Sequence, residues 1–120
     1  MSTQTVDLPD QEPTAEFVER RATERYACQK HCFVRPEGAG GPADWPGLAY
    51  NVSTGGIGVA LPLPVQPGTV LLLQPLGREG KPFRVRVVRS VLVSFVYFHG
   101  CVFQMPLTGE ELEVWIRLQT

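Results

Sequence analysis

Phe83-Arg84-Val85-Arg86-Val87 alternates apolar and basic residues without a break. In an extended chain a period of two puts the valines and phenylalanine on one face and the arginines on the other. The segment is one of several short apolar runs, each fenced by proline or glycine. Short runs at this spacing, with turn signals between them, point to a small antiparallel β-barrel.

The other runs fill in that all-β reading. Tyr26 to Arg35 is the first strand, with Cys28, Cys32 and Val34 facing inward and Gln29, His31 and Arg35 outward; Lys30 interrupts the inward set. Pro36 to Pro46, with Gly38, Gly40 and Gly41, reads as a loop that includes Trp45. Leu48–Val52 and Ile57–Leu61 form a hairpin about a turn at Ser53 to Gly56. Pro62, Pro64 and Pro67 stiffen the connection to a strand at Thr69–Leu73. The doublet Val87-Val88 marks a bulge. Val91 to Phe98 reads as one strand covered on both faces or packed at an interface. His99-Gly100 reads as an exposed turn or kink, and Cys101–Phe103 as the last strand. Thr108 followed by Glu111 matches a capping box, and Leu112, Trp115 and Ile116 share one face of the helix it opens.

Composition narrows the function classes. With 120 residues and a net charge of −1, one small domain is expected, with no global basic field to draw in nucleic acid. Residues 1–15 are polar and carry Pro9 and Pro13, so they read as a disordered tail ahead of a domain at 16–120. The Val91–Phe98 stretch is too short to cross a bilayer, so no membrane insertion is expected. The first residues lack the basic start and apolar segment of a secretory signal, which points to the cytoplasm and discounts Asn51-Val52-Ser53 as a glycosylation acceptor. Three cysteines do not make a disulfide framework. Cys28 and Cys32 share a strand face that His31 does not, and only Cys101 remains as a further thiol, so no metal site is expected. The sequence has no Gly-x-Ser-x-Gly, no metal-ligand helix motif and no carboxylate pair, and no enzyme is expected.

Two polar stretches stand out. Tyr50-Asn51-Val52-Ser53-Thr54-Gly55-Gly56-Ile57-Gly58 joins a short amide, a hydroxyl and three glycines. Glycines that tolerate positive φ would let the chain bend sharply and turn N–H groups outward, which suits an anion. Upstream, Arg20, Arg21 and Arg25 cluster in Glu-Arg-Arg-Ala-Thr-Glu-Arg, on a helix or an irregular arm; either geometry puts Arg21 and Arg25 on one side. Alone, the first stretch is an ordinary hairpin turn and the second an ordinary solvated charge run. Together they suggest one site for a small anionic ligand.

Arg21-Ala22-Thr23-Glu24-Arg25 fits an Arg-x-x-x-Arg element, and Asn51-Val52-Ser53-Thr54-Gly55-Gly56 fits an (Asp/Asn)-x-Ser-x-x-Gly element. In this order, on a β-rich chain, they resemble the signature of the PilZ domain across roughly residues 19 to 118. The resemblance implies a six-stranded antiparallel β-barrel with a C-terminal α-helix, acting as a receptor for bacterial cyclic di-GMP with no other cofactor. It implies that Arg21 and Arg25, with Arg20 beside them, grip guanines and phosphates. It also implies that Asn51, Ser53 and Gly56 form the turn that meets a guanine and its phosphate. Arginine's planar fork suits both phosphate and the O6/N7 edge of guanine. The expected partners are the nucleotide and a downstream protein, with a homodimer possible; some family members bind no nucleotide and serve as adaptors. Three clustered like charges would hold the arm loosely until a dianion drew it over the barrel, which is an order–disorder switch.

Overall fold

The computed structural model describes residues 24–38 and 44–117. Six strands run as β1 (Tyr26–Pro36), β2 (Trp45–Val52), β3 (Gly56–Leu61), β4 (Val70–Pro75), β5 (Phe83–Val93) and β6 (Val96–Phe103), followed by the helix α1 (Gly109–Ile116). All neighbours are antiparallel and the sheet closes in the order β1-β2-β3-β6-β5-β4, with β4 returning to β1. Closure leaves no bare sheet edge where the ladder is complete.

The period-two pattern places the core. Val34, Ala49, Val59, Leu71, Leu73 and Val85 are at most 1% exposed and point into the barrel. The Phe83–Val87 alternation holds, with its valines inside and Arg86 outside. Lys30 keeps the inward phase of β1 that Cys28, Cys32 and Val34 share and is 9% exposed; a lysine stem can line an interior with its methylenes. Thr108 caps α1 by accepting from the Glu111 amide at 3.1 Å, while the Glu111 carboxylate accepts from the Thr108 amide at 2.9 Å. The helix lies against β1 and β2 and sinks Trp115 into the barrel end, its ring 5.4 Å from that of Phe83. Truncating a fully buried tryptophan costs about 3–5 kcal/mol, so α1 is part of the core.

Three expectations need correction. Val91–Phe98 is a hairpin: β5 ends at Val93, β6 begins at Val96, and Ser94 and Phe95 turn the chain with φ of 50° and 70°. Nor are its faces covered, since Leu92, Val93 and Phe95 are exposed. Ser94 and Phe95 lack the glycine or asparagine that normally signals such a turn, so the apolar run looked continuous. His99-Gly100 is not an exposed turn; both residues lie in β6, and His99 is fully buried with its Nε2 accepting from the Val65 amide at 3.0 Å. Trp45 is the first residue of β2 and half-buried, not a loop residue. The tail at 1–15 and most of the arm at 14–25 lie outside the described residues.

Candidate functional site

The hairpin between β2 and β3 is built around one buried hydroxyl. Ser53 is 0% exposed, and its Oγ accepts from the Gly56 amide at 3.1 Å and the Gly55 amide at 3.3 Å. The Ser53 amide donates to the Gly56 carbonyl at 2.8 Å. The N–H groups of Ser53, Gly55 and Gly56 are therefore spent inside the turn and do not form an outward anion cradle. Glycine freedom is not what the turn needs either: the positive-φ glycines are Gly38, Gly68, Gly77 and Gly80. Later chain sews the turn down, with Phe103 donating to the Gly55 carbonyl at 3.0 Å and Leu107 to the Thr54 carbonyl at 2.8 Å. Ser53 and Gly56 are both buried here, which makes them shapers of the turn in this conformation.

The polar surface comes instead from the residues just ahead of the turn. The β2–β3 register shifts between Ala49 and Asn51, so Tyr50 is the extra residue of a bulge. Asn51 pairs with Gly58, and a Cβ at Gly58 would lie 2.6 Å from the Tyr50 ring and 2.9 Å from Asn51 Oδ1. Gly58, which the sequence did not single out as a site residue, thus gives both side chains room to lie over the strand. Arg25, entering β1, donates from Nη1 to Asn51 Oδ1 at 2.8 Å. A guanidinium can only donate, so this bond fixes the carboxamide with its NH₂ turned away, free to donate elsewhere. Burial raises the Tyr50 phenol above its ordinary pKa, and the neighbouring Cys101 thiol adds to it, while the positive charges of Arg89 and Arg25 pull it back. The structure brings Arg25 and Asn51 together, buries Ser53 and Gly56 within the turn, and leaves Arg20 and Arg21 outside the described residues.

The PilZ domain profile matches residues 19–118. The chain belongs to the PilZ domain family. No curated protein matches the sequence. Among solved structures the PilZ domain resembles the inhibitor of motility MotI/DgrA from Bacillus subtilis, with a TM-score of 0.56 and 22% identity over 80% of this chain. It spans about half of that protein, 48% of its length, and the likeness concerns the fold. Members of the family are binding and adaptor domains, typically for cyclic di-GMP and partner proteins.

Elsewhere in this PilZ domain the chemistry is quiet. Burial pushes the Cys32 and Cys101 thiols up to about 12 and raises Cys28 as well, so all three stay protonated near neutrality. Among the described residues no group of three His, Cys, Asp or Glu side chains could hold a metal ion. Arg84 is tied to Glu37 by two bonds of 2.6 Å, which holds the Glu37 carboxyl below its usual range. A hollow of about 360 Å³ lies beside Arg84, Arg86, Val102 and Gln104, next to the Gly56 end of β3 rather than over Asn51. No described helix is long and apolar enough to cross a membrane.

Proposed function

We propose that this domain is a receptor for cyclic di-GMP that signals to a protein partner without catalysis. The observation that carries this reading is the 2.8 Å bond between Arg25 and Asn51, which joins the two signature elements across 26 residues of sequence. With Oδ1 held by Arg25, the Asn51 NH₂ is left to donate to a guanine edge. The guanidinium of Arg25 suits a phosphate, and Arg21 and Arg20 would add further guanidinium groups for the same dianion. Serine 53 acts beneath the ligand by holding the bend that presents Asn51. Gathering the basic arm onto this face changes the surface that a partner reads.

Titration calorimetry of the full chain with cyclic di-GMP tests the reading. Saturable binding at micromolar concentration or below is expected. Arg25→Ala or Asn51→Ala should weaken it about tenfold or more, since each charge-assisted hydrogen bond contributes about 1.5–3 kcal/mol. Amide exchange at residues 17–27 should slow with ligand; equal exchange in both states would rule out the switch.

A second reading, a PilZ-fold adaptor that binds no nucleotide, draws on the β5–β6 tip. Leu92, Val93 and Phe95 stand exposed there, Phe95 at 94%. The absence of both binding heat and a thermal shift at high ligand concentration would favour it.

A further inference from the structure

Arg89 lies on β5, two strands from β1 by way of β4 and four by way of β2, and belongs to neither signature element. The register nevertheless places it at the end of one straight row. Asn51 on β2 lies opposite Gly58 on β3, Gly58 opposite Gly100 on β6, and Gly100 opposite Arg89 on β5. At about 4.8 Å per strand the row is about 14 Å long, so two arginine side chains reaching inward from its ends can meet one small ligand. The two middle positions are glycines, so no Cβ rises between them and solvent. Tyr50 uses the space over Gly58, and the Arg89 side chain lies beside Gly100, its Nε 3.8 Å from where a Cβ would be. Phe98, two residues from Gly100 on the same face, meets the Tyr50 ring edge-on at 5.2 Å.

The β5 bulge creates this arrangement. The β5–β6 ladder slips between Val87 and Arg89, which keeps Val87 in the core and turns both Val88 and Arg89 outward. Without the slip, Arg89 would fall on the inner phase. Two ion pairs form among the described residues, Arg84–Glu37 and Arg117–Glu113, and neither uses Arg89. Tyr50 feels the charges of both Arg89 and Arg25, which pull its phenol down against the effect of burial. Two like charges sharing one face with an aromatic ring suit an anion attached to a flat base, which stacks on the ring while its phosphate neutralises the pair.

We propose that Arg89 is a further ligand-binding arginine, holding a phosphate or guanine edge of the bound dinucleotide from the side opposite Arg25, with Tyr50 as the ring on which a base stacks. The assignment rests on the receptor reading given above and adds a residue that neither signature element contains.

Calorimetry on the full chain separates the two claims. Arg89→Ala should weaken cyclic di-GMP binding about tenfold, and Arg89→Lys, which keeps the charge and loses the fork, should recover part of that loss. Arg35→Ala, an exposed arginine of β1 opposite Leu72, should leave binding unchanged. Thermal unfolding of Arg89→Ala within about a degree of the parent would show that the effect is not a folding defect, because the side chain is exposed. If Arg25→Ala and Asn51→Ala abolish binding while Arg89→Ala binds like the parent, the Arg89 proposal is wrong and the receptor reading stands. If the parent itself does not bind, both fall.

Discussion

Two hairpin bends of this barrel, β2–β3 and β5–β6, each contain a serine and reverse the chain by opposite means. At Ser53 the bend is rich in glycine, yet its glycines are not in the left-handed region, and a buried hydroxyl holds it by collecting two amides. At Ser94-Phe95 there is no glycine, yet both residues take positive φ, as a two-residue hairpin turn between Val93 and Val96 demands. The first bend buries Ser53 and Gly56 and is stitched to later chain. The second stands out in solvent with a phenylalanine 94% exposed. A glycine in a turn is therefore not by itself a sign of a left-handed backbone; here Gly58 serves as empty space for Tyr50 and Asn51.

The contrast can be broken by mutation. Ser53→Ala strands two buried amides and should cost about 2–3 kcal/mol in urea unfolding, while Ser94→Ala should stay within about 0.5 kcal/mol. Equal costs would mean the buried hydroxyl is not what holds the first bend. Phe95→Gly should raise stability by about 1 kcal/mol, because it removes a left-handed penalty of roughly 1–2 kcal/mol and loses almost no packing. A loss instead would reveal that the exposed ring already has a contact.

The smallest effect concerns pH. Burial lowers the His99 pKa from its ordinary 6.5, although the Val59 and Tyr97 carbonyls favour the charged ring. Its Nδ1 lies near them without meeting hydrogen-bond geometry. The native state thus stays neutral at a pH where the unfolded chain takes up a proton. Its contribution is full above about pH 6.5 and declines as pH falls below that value. In melts from pH 7.5 to 5.5, His99→Gln, which can still accept from the Val65 amide, should flatten that part of the decline.

Much of the barrel was legible because its strands alternate and its turns are marked. Phe83–Val87 and the Thr108–Glu111 cap needed only local rules. What stayed hidden was set by register and by tertiary contact. His99-Gly100 has the composition of a turn, but both residues continue β6 and the histidine is buried with its Nε2 bonded to the Val65 amide. Ser94-Phe95 gives no turn signal at all. The Arg25–Asn51 pair could be anticipated from motif order, whereas the row from Asn51 to Arg89 depends on two bulges whose joint offset no single strand reveals.

The bond from the Leu107 amide to the Thr54 carbonyl ties the asparagine-bearing bend to the segment that leads into Trp115. Peeling the last helix away would tug on that carbonyl and cost it this partner. Whatever grips the front of the bend is thus pulling on the same thread that pins the cap of the barrel at its rear.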